Sequence, residues 1–290
     1  MNSTIHSSAV IAQSAVIEDK VKIAPFCVIG EDTVIGEGTI LGSGCVLGEG
    51  IKIGANSRLG NHVTLDKQVT LDKEVTIGDH TAVYSGTDIG EGTYIGSNSS
   101  IGRPPRAAST STVKNLGDLS PLTVGSRSII GCSAVLYAGT VLGEAVFVGD
   151  RALIRERCVL GPKVVVGSGC AVENDTMIGA YTKIQTGSYI TAYMEIEERV
   201  FIAPMVTTTN DNYMGRTEKR FQYIKGATIR RGARIGGGAI LLPSVEIGEE
   251  TFVAAGALVT KDTPSAKMVK GFPARIVKNV PEEELVKNND

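Results

Sequence analysis

An aliphatic residue occupies every sixth position of this chain for almost its whole length. The first run goes without a slip in phase from Ile5 through Ile11, Ile17 and Ile23 to Ile101. A second runs from Val124 to Ile202, and a third from Ile229 to Val259. Six is neither the period of a helix nor that of a strand. It is the signature of a parallel β-helix built from hexapeptides. Three hexads make one triangular coil of 18 residues, so the aliphatic side chains point inward and stack on their equivalents one coil away. A single coil cannot bury them, and only the stack is stable. The runs amount to about 12 coils, a prism roughly 55–60 Å long at the spacing of neighbouring strands.

The other hexad positions fit this picture. Glycine often follows the aliphatic residue directly, as at Gly30, Gly36, Gly54 and Gly60, and is expected to supply the backbone angles of a corner. Four residues after the aliphatic position stands a small or β-branched residue, such as Cys27, Thr33, Thr39 or Cys45. The repeat predicts an all-β β-helix over 1–263, followed over 264–290 by an extended segment and a short helix starting at Pro281. Cys27, Cys45, Cys158 and Cys170 fall at the small inward position and read as buried thiols, neither nucleophiles nor zinc ligands.

Composition narrows the function. With 35 glycines and no tryptophan, the interior is a narrow aliphatic stack. A net charge of −2 speaks against a general nucleic-acid binder. No apolar stretch suits a membrane span and the first residues carry no signal pattern, so a soluble cytoplasmic protein is expected. His6, His62 and His80 are the only histidines. They offer no plausible zinc set, and no metal is expected; His62 and His80, one coil apart, should stack.

The repeat breaks twice, over 103–121 and 209–228. Long excursions from a regular fold are usually functional. The second leads into a basic stretch of Arg216, Lys219, Arg220, Lys225, Arg230, Arg231 and Arg234, which suggests a polyanionic ligand such as a phosphate-rich cofactor. The 18-residue coil also places polar residues above one another. On this reckoning Tyr137, Arg155, Glu156, Glu173, Asn174, Asn210 and Asp211 line one edge, the edge from which the second excursion leaves. The lack of histidine beyond residue 80 favours acyl transfer to nitrogen. A hydroxyl needs a strong base, whereas an amine needs mainly positioning.

The segments Ile229–Pro243, Ile247–Asp262 and Gly271–Arg275 resemble the acyl-coenzyme A end of hexapeptide acyltransferases. The middle, with Val172-Glu173-Asn174, Tyr189–Tyr193, Phe201–Pro204 and Thr209–Asn212, is similar to nucleotide-sugar N-acyltransferases, above all the dTDP-3-amino-3,6-dideoxyhexose 3-N-acetyltransferases. The resemblance covers roughly 100–280. It implies a left-handed coil, a homotrimer, acetyl-CoA as co-substrate and a role in surface glycan biosynthesis. Asn174 and Glu156 would orient the sugar amine. Either Glu156 or the departing thiolate would take its proton. Glu173, Arg155, Arg103 and Arg106 would hold the nucleotide sugar. Ala203, Gly237, Ala255 and Gly256 would offer backbone groups to the pantetheine arm. Lys261, Arg275 and Arg231 would face the cofactor phosphates, within the basic surroundings that include Arg216. Two other readings stay open: an N-acyltransferase for a dTDP-4-amino or UDP-amino sugar that uses acetyl- or longer acyl-CoA, and a structural β-helix without activity.

Overall fold

The structure is a computed structural model, described here for residues 3–109 and 117–286. It forms two compact units, Met1–Arg151 and Ala152–Asp290. Both are all-β solenoids of the hexapeptide, left-handed β-helix type, with each strand paired in parallel to the strand one coil later. In the first unit Thr4 pairs with Lys22, Val10 with Val28 and Val16 with Val34. In the second, Leu153 pairs with Ala171, Val159 with Met177 and Val165 with Lys183. The repeating register of 18 is the sequence period made visible.

Hexad aliphatics form the core. From Ile23 to Val259 they are at most 3% exposed. Each contributes about 1.5–3 kcal/mol by leaving water. Ile5, in the first described coil, is 45% exposed. The run is one strand longer than its aliphatic positions. Thr208 fills the core slot after Ile202, fully buried in the strand Thr207–Thr208. Its hydroxyl accepts from the Thr191 N–H at 2.8 Å and donates to the Tyr189 carbonyl at 3.1 Å. That satisfaction lets a polar side chain stand in an apolar column.

The small position has a second job. The Thr33 and Thr39 hydroxyls donate to the carbonyls of Gly48 and Gly54 in the next coil, at 3.0 and 3.1 Å. Cysteine does the same, Cys27 toward Gly42 and Cys45 toward Gly60. The thiols expected inside are buried, and burial pushes Cys45 and Cys158 up to about 12. The His62 and His80 rings stack with centroids 5.1 Å apart.

Glycine after the aliphatic residue has a different cause from the one expected. Left-handed backbone falls two residues later, at positions such as Asn56, His62 and Asp175. At Gly54 a Cβ would lie 2.4 Å from the backbone nitrogen of Lys73 in the next coil. Close approach of coils, not φ, selects glycine there.

Parallel pairing resumes after both excursions, with a register shift at the first, between Ile101 and Arg103. The first lies between the strands Ser100–Arg103 and Thr123–Val124, with Ile101 paired to Leu136. Residues 110–116 of it lie outside the described residues. The second lies between Thr207–Thr208 and Thr228–Ile229, with Thr208 paired to Leu241. It contains one 3₁₀ turn, Glu218–Gln222.

The C-terminal segment is not simply extended. Lys267–Gly271 pairs in parallel with Phe252–Val253 and then folds back as an antiparallel hairpin on Ala274–Asn279. The expected helix after Pro281 is a single 3₁₀ turn, Glu282–Glu284. Its residues are too few to repay helix nucleation. No helix among the described residues is long and apolar enough to cross a membrane.

Candidate functional site

In the second unit one corner of the coil carries most of the polar residues singled out above. Its strands run in register from Ile154 to Val172 and Ile190, and from Thr208 to Leu241 and Val259. The coil containing Tyr189–Ile190 pairs with the one containing Thr207–Thr208. Two residues beyond these core positions stand Glu156, Asn174, Ala192, Asn210, Pro243 and Lys261. Backbone bonds tie successive corners together, Asp175 N–H to the Glu156 carbonyl and Tyr193 N–H to the Asn174 carbonyl, each at 3.2 Å. The Asn210 amide donates to the Ala192 carbonyl at 3.3 Å. Glu156, Asn174 and Asn210 therefore share one edge, as the 18-residue arithmetic requires.

The electrostatics of this edge centre on Arg155. Its guanidinium grips both carboxylate oxygens of Glu156, at 2.8 and 2.9 Å, and reaches Glu173 at 3.3 Å. Glu156 is 2% exposed. A carboxylate so deeply placed needs such a bidentate partner. Burial pushes the Glu173 carboxyl above the usual range, helped by the neighbouring Glu156 charge and opposed by Arg155 and a hydrogen bond with Tyr189.

One layer outward, Arg157 makes a bidentate pair with Asp175 at 2.6 and 2.7 Å, and the Asn174 amide donates to the same carboxylate. Burial raises the Asp175 carboxyl, but the hydrogen bonds from Arg157 and Asn174 outweigh it and hold the group low. Sequence reasoning missed Arg157 and Asp175. The signal was available, since they are 18 residues apart and of opposite charge. Because Asp175 is held low, the pair's contribution is present above the ordinary aspartate range and is lost as pH falls through the folded-state value.

Asp211 turns out to organise its own loop. Its carboxylate accepts the backbone N–H groups of Tyr213 and Gly215, at 2.8 and 2.9 Å, and pairs with Arg220 at 2.8 Å. Asp211→Ala should therefore loosen the excursion, read as faster limited proteolysis within 212–224 at an unchanged melting temperature.

The basic stretch is largely neutralised by carboxylates from other coils. Arg230 bridges Glu197 and Glu246, Arg231 pairs with Glu198 and Glu249, and Arg234 with Glu284. Arg231, expected to face phosphates, is held on the corner after the strand Thr228–Ile229, a different edge from Lys261. Arg216 is exposed in the excursion.

Ala203, Gly237, Ala255 and Gly256 form a row on a second edge, in the register Ile202–Ile235–Val253. Part of that backbone is spent on rungs of the solenoid. The Ala203 N–H donates to Ile235, and the Gly256 N–H to the Gly237 carbonyl. This row and the Asn174–Asn210–Lys261 edge border the same sheet face, whose outward residues include Tyr189, Thr207, Ile240 and Leu258. At the C-terminal end Lys261 and Arg275 both stand on the wall of one cleft of about 470 Å³. The hairpin supplies Arg275 and the last coil Lys261.

Tyr137, Arg103 and Arg106 belong to the first unit. The Arg103 guanidinium lies over the Tyr137 ring, 5.6 Å from its centroid, and Arg106 is exposed. The excursion there covers a cavity of about 350 Å³ bordered by Asp66, Tyr84 and Asp118. Among the described residues no group of three or more His, Cys, Asp or Glu is placed to hold a metal ion.

Comparison with known proteins fits the repeat. Residues 32–67 match the bacterial transferase hexapeptide family (six repeats), and residues 224–261 match the hexapeptide repeat of succinyl-transferase. These two stretches of the chain are thus similar to hexapeptide repeats of transferases. It is 39% identical over 95 residues to serine acetyltransferase of Buchnera aphidicola, covering 33% of this chain and 32% of that protein. It is 30% identical over 178 residues to mitochondrial gamma carbonic anhydrase 2 of Arabidopsis thaliana, covering 60% of this chain and 56% of that one. The chain thus spans between a third and just over half the length of these relatives. A solved UDP-N-acetylglucosamine acyltransferase of Francisella novicida aligns over 95% of this chain and 70% of its own, at 21% identity and a TM-score of 0.39.

Proposed function

We propose that this hexapeptide-repeat protein is an acetyl-CoA-dependent transferase that acetylates the amine of a dTDP-linked 3-amino-3,6-dideoxyhexose for surface glycan synthesis, working as a homotrimer. One observation carries the reading: the edge with Glu156, Asn174 and Asn210 continues in register to Lys261, which stands with Arg275 on the wall of one cleft. Four coil steps separate Asn174 from Lys261, about 19 Å at the spacing of neighbouring strands. That is of the order of an extended pantetheine arm. Phosphates between Lys261 and Arg275 would set the thioester near Asn174. The strip between them, with Ile240 and Leu258 outward, suits the apolar parts of the arm. The similarity of 224–261 to succinyl-transferase repeats, and of a third of the chain to a serine acetyltransferase, supports acyl transfer.

In this reading Asn174 fixes the acceptor side directly, and Glu156 does so through the Arg155 that it holds. The amine needs a positioned neighbour more than a strong base, and Asn174 offers an amide beside the buried Arg155–Glu156 pair. Glu173, with Arg155, would hold the sugar, and Arg103 and Arg106 the nucleotide.

The decisive experiment incubates the protein with acetyl-CoA and a panel of dTDP- and UDP-linked amino sugars, with the products read by mass. A gain of one acetyl group on a dTDP-3-amino sugar is expected. Transfer only to 4-amino or UDP sugars would move the acceptor, and no transfer to any would reject the activity. Asn174→Ala should lower turnover about 100-fold or more, as losing a positioned polar contact at a reacting centre does, while stability changes by less than about 1 kcal/mol. Equal loss of both would count against the site.

A further inference from the structure

The sequence leaves the proton acceptor open between Glu156 and the departing thiolate. Their surroundings separate the two glutamates of this edge. Glu156 is 2% exposed, and both its oxygens are engaged by Arg155. It has no face to offer a substrate. Glu173 stands directly after the core residue Val172, a place where the neighbouring hexads carry glycine, as at Gly167 and Gly179. Its carboxylate is 20% exposed and meets Arg155 on one side, at 3.3 Å. The Tyr189 hydroxyl, from the next coil, is its second partner. Asn174 follows it in the chain.

Resting on the transferase reading above, we infer that Glu173 is the base that takes the acceptor's proton, with Glu156 confined to holding Arg155. The amine lone pair attacks the thioester carbonyl carbon, forming the C–N bond and a tetrahedral adduct that carries an ammonium. Glu173 accepts the ammonium proton. As the C–S bond breaks, the sulfur leaves with its electron pair and takes that proton from Glu173. The products are the amide and the neutral thiol of coenzyme A, and the carboxylate is restored.

The charged and titratable groups that face Glu173 are Arg155 and Glu156 from the coil before and Tyr189 from the coil after. Burial, the largest influence, raises its carboxyl above the usual range, the direction that suits a base that must also return its proton. The Tyr189 hydrogen bond favours the carboxylate, so removing it raises the group further. The acceptor's own ammonium contributes the same acid limb in every variant. A limb that changes between variants belongs to the protein.

The test measures kcat/KM against pH, from about 5 to 9, for acetyl-CoA and a dTDP-3-amino-3,6-dideoxyhexose. Glu173→Gln should lower the rate about 10²–10⁴-fold and remove one protein ionisation from the acid limb. Tyr189→Phe should keep that ionisation and move it to higher pH. Glu156→Gln should retain it, moved to lower pH because a neighbouring negative charge is lost, whatever rate is lost. The inference is overturned if Glu173→Gln stays within about threefold of wild type, if it keeps the limb, or if Glu156→Gln alone removes it. Should Glu173→Gln fail to fold, the Tyr189→Phe limb decides, and an unmoved limb overturns the inference. Wild-type protein that transfers to no acceptor rejects the activity itself, a result distinct from active protein with an unaltered limb.

Discussion

An aspartate at Ile190 is expected to unfold the second unit. Ile190 is fully buried, between Val172 in the coil before and the column position of Thr208 in the coil after. At a position with no exposure to solvent an ionised carboxylate costs many kcal/mol, and a neutral one still leaves polar atoms unpaired. Domain stabilities of about 5–15 kcal/mol do not absorb such a loss. A solenoid holds each coil only through its neighbours, so the failure spreads along the stack. The variant should lose its cooperative thermal transition by circular dichroism and be cut rapidly by protease within 152–260. A wild-type melt would mean that the hexad column is not the core.

Glu156→Ala should give the next largest effect. It leaves the Arg155 guanidinium without its bidentate partner, and it removes a carboxylate that is 2% exposed. Breaking a buried pair from one side typically costs about 3–5 kcal/mol, and the 30% exposure of Arg155 places the expected loss nearer the lower figure. The double variant Arg155→Ala/Glu156→Ala should cost about 1–3 kcal/mol less than the sum of the single changes. Additive losses by denaturant titration would show that the two side chains do not act together. Gly54→Ala is a smaller, separate expectation. Its Cβ would press on the next coil's backbone, which cannot rotate away, and overpacking of this kind costs about 1–3 kcal/mol.

The fold was legible because one number, the hexad, fixes side-chain direction, register and coil at once. Glu156, Asn174 and Asn210 share an edge for that reason alone. Thr208 escaped because the pattern was followed through apolar residues, and a satisfied threonine fits the same slot. The glycines were attributed to corner angles, since sequence shows the residue but not the neighbouring coil's backbone at 2.4 Å from a missing Cβ. The basic stretch looked like a free patch because its carboxylate partners lie in other coils. Glu197, Glu198, Glu246 and Glu249 become neighbours of Arg230 and Arg231 only once the coil closes. Asp211 was grouped with the site by its position in register, yet its oxygens point into its own turn. Arg275 could not be paired with Lys261 from the coil period, since it reaches the cleft on a hairpin outside the repeat.

The most direct test of the central claim is a crystal structure of the protein with coenzyme A bound. The account places the phosphates between Lys261 and Arg275, the arm along the strip that carries Ile240 and Leu258, and the sulfur beside Glu173 and Asn174. Phosphates seated instead at Arg231, or an arm that ends away from Asn174, would contradict it.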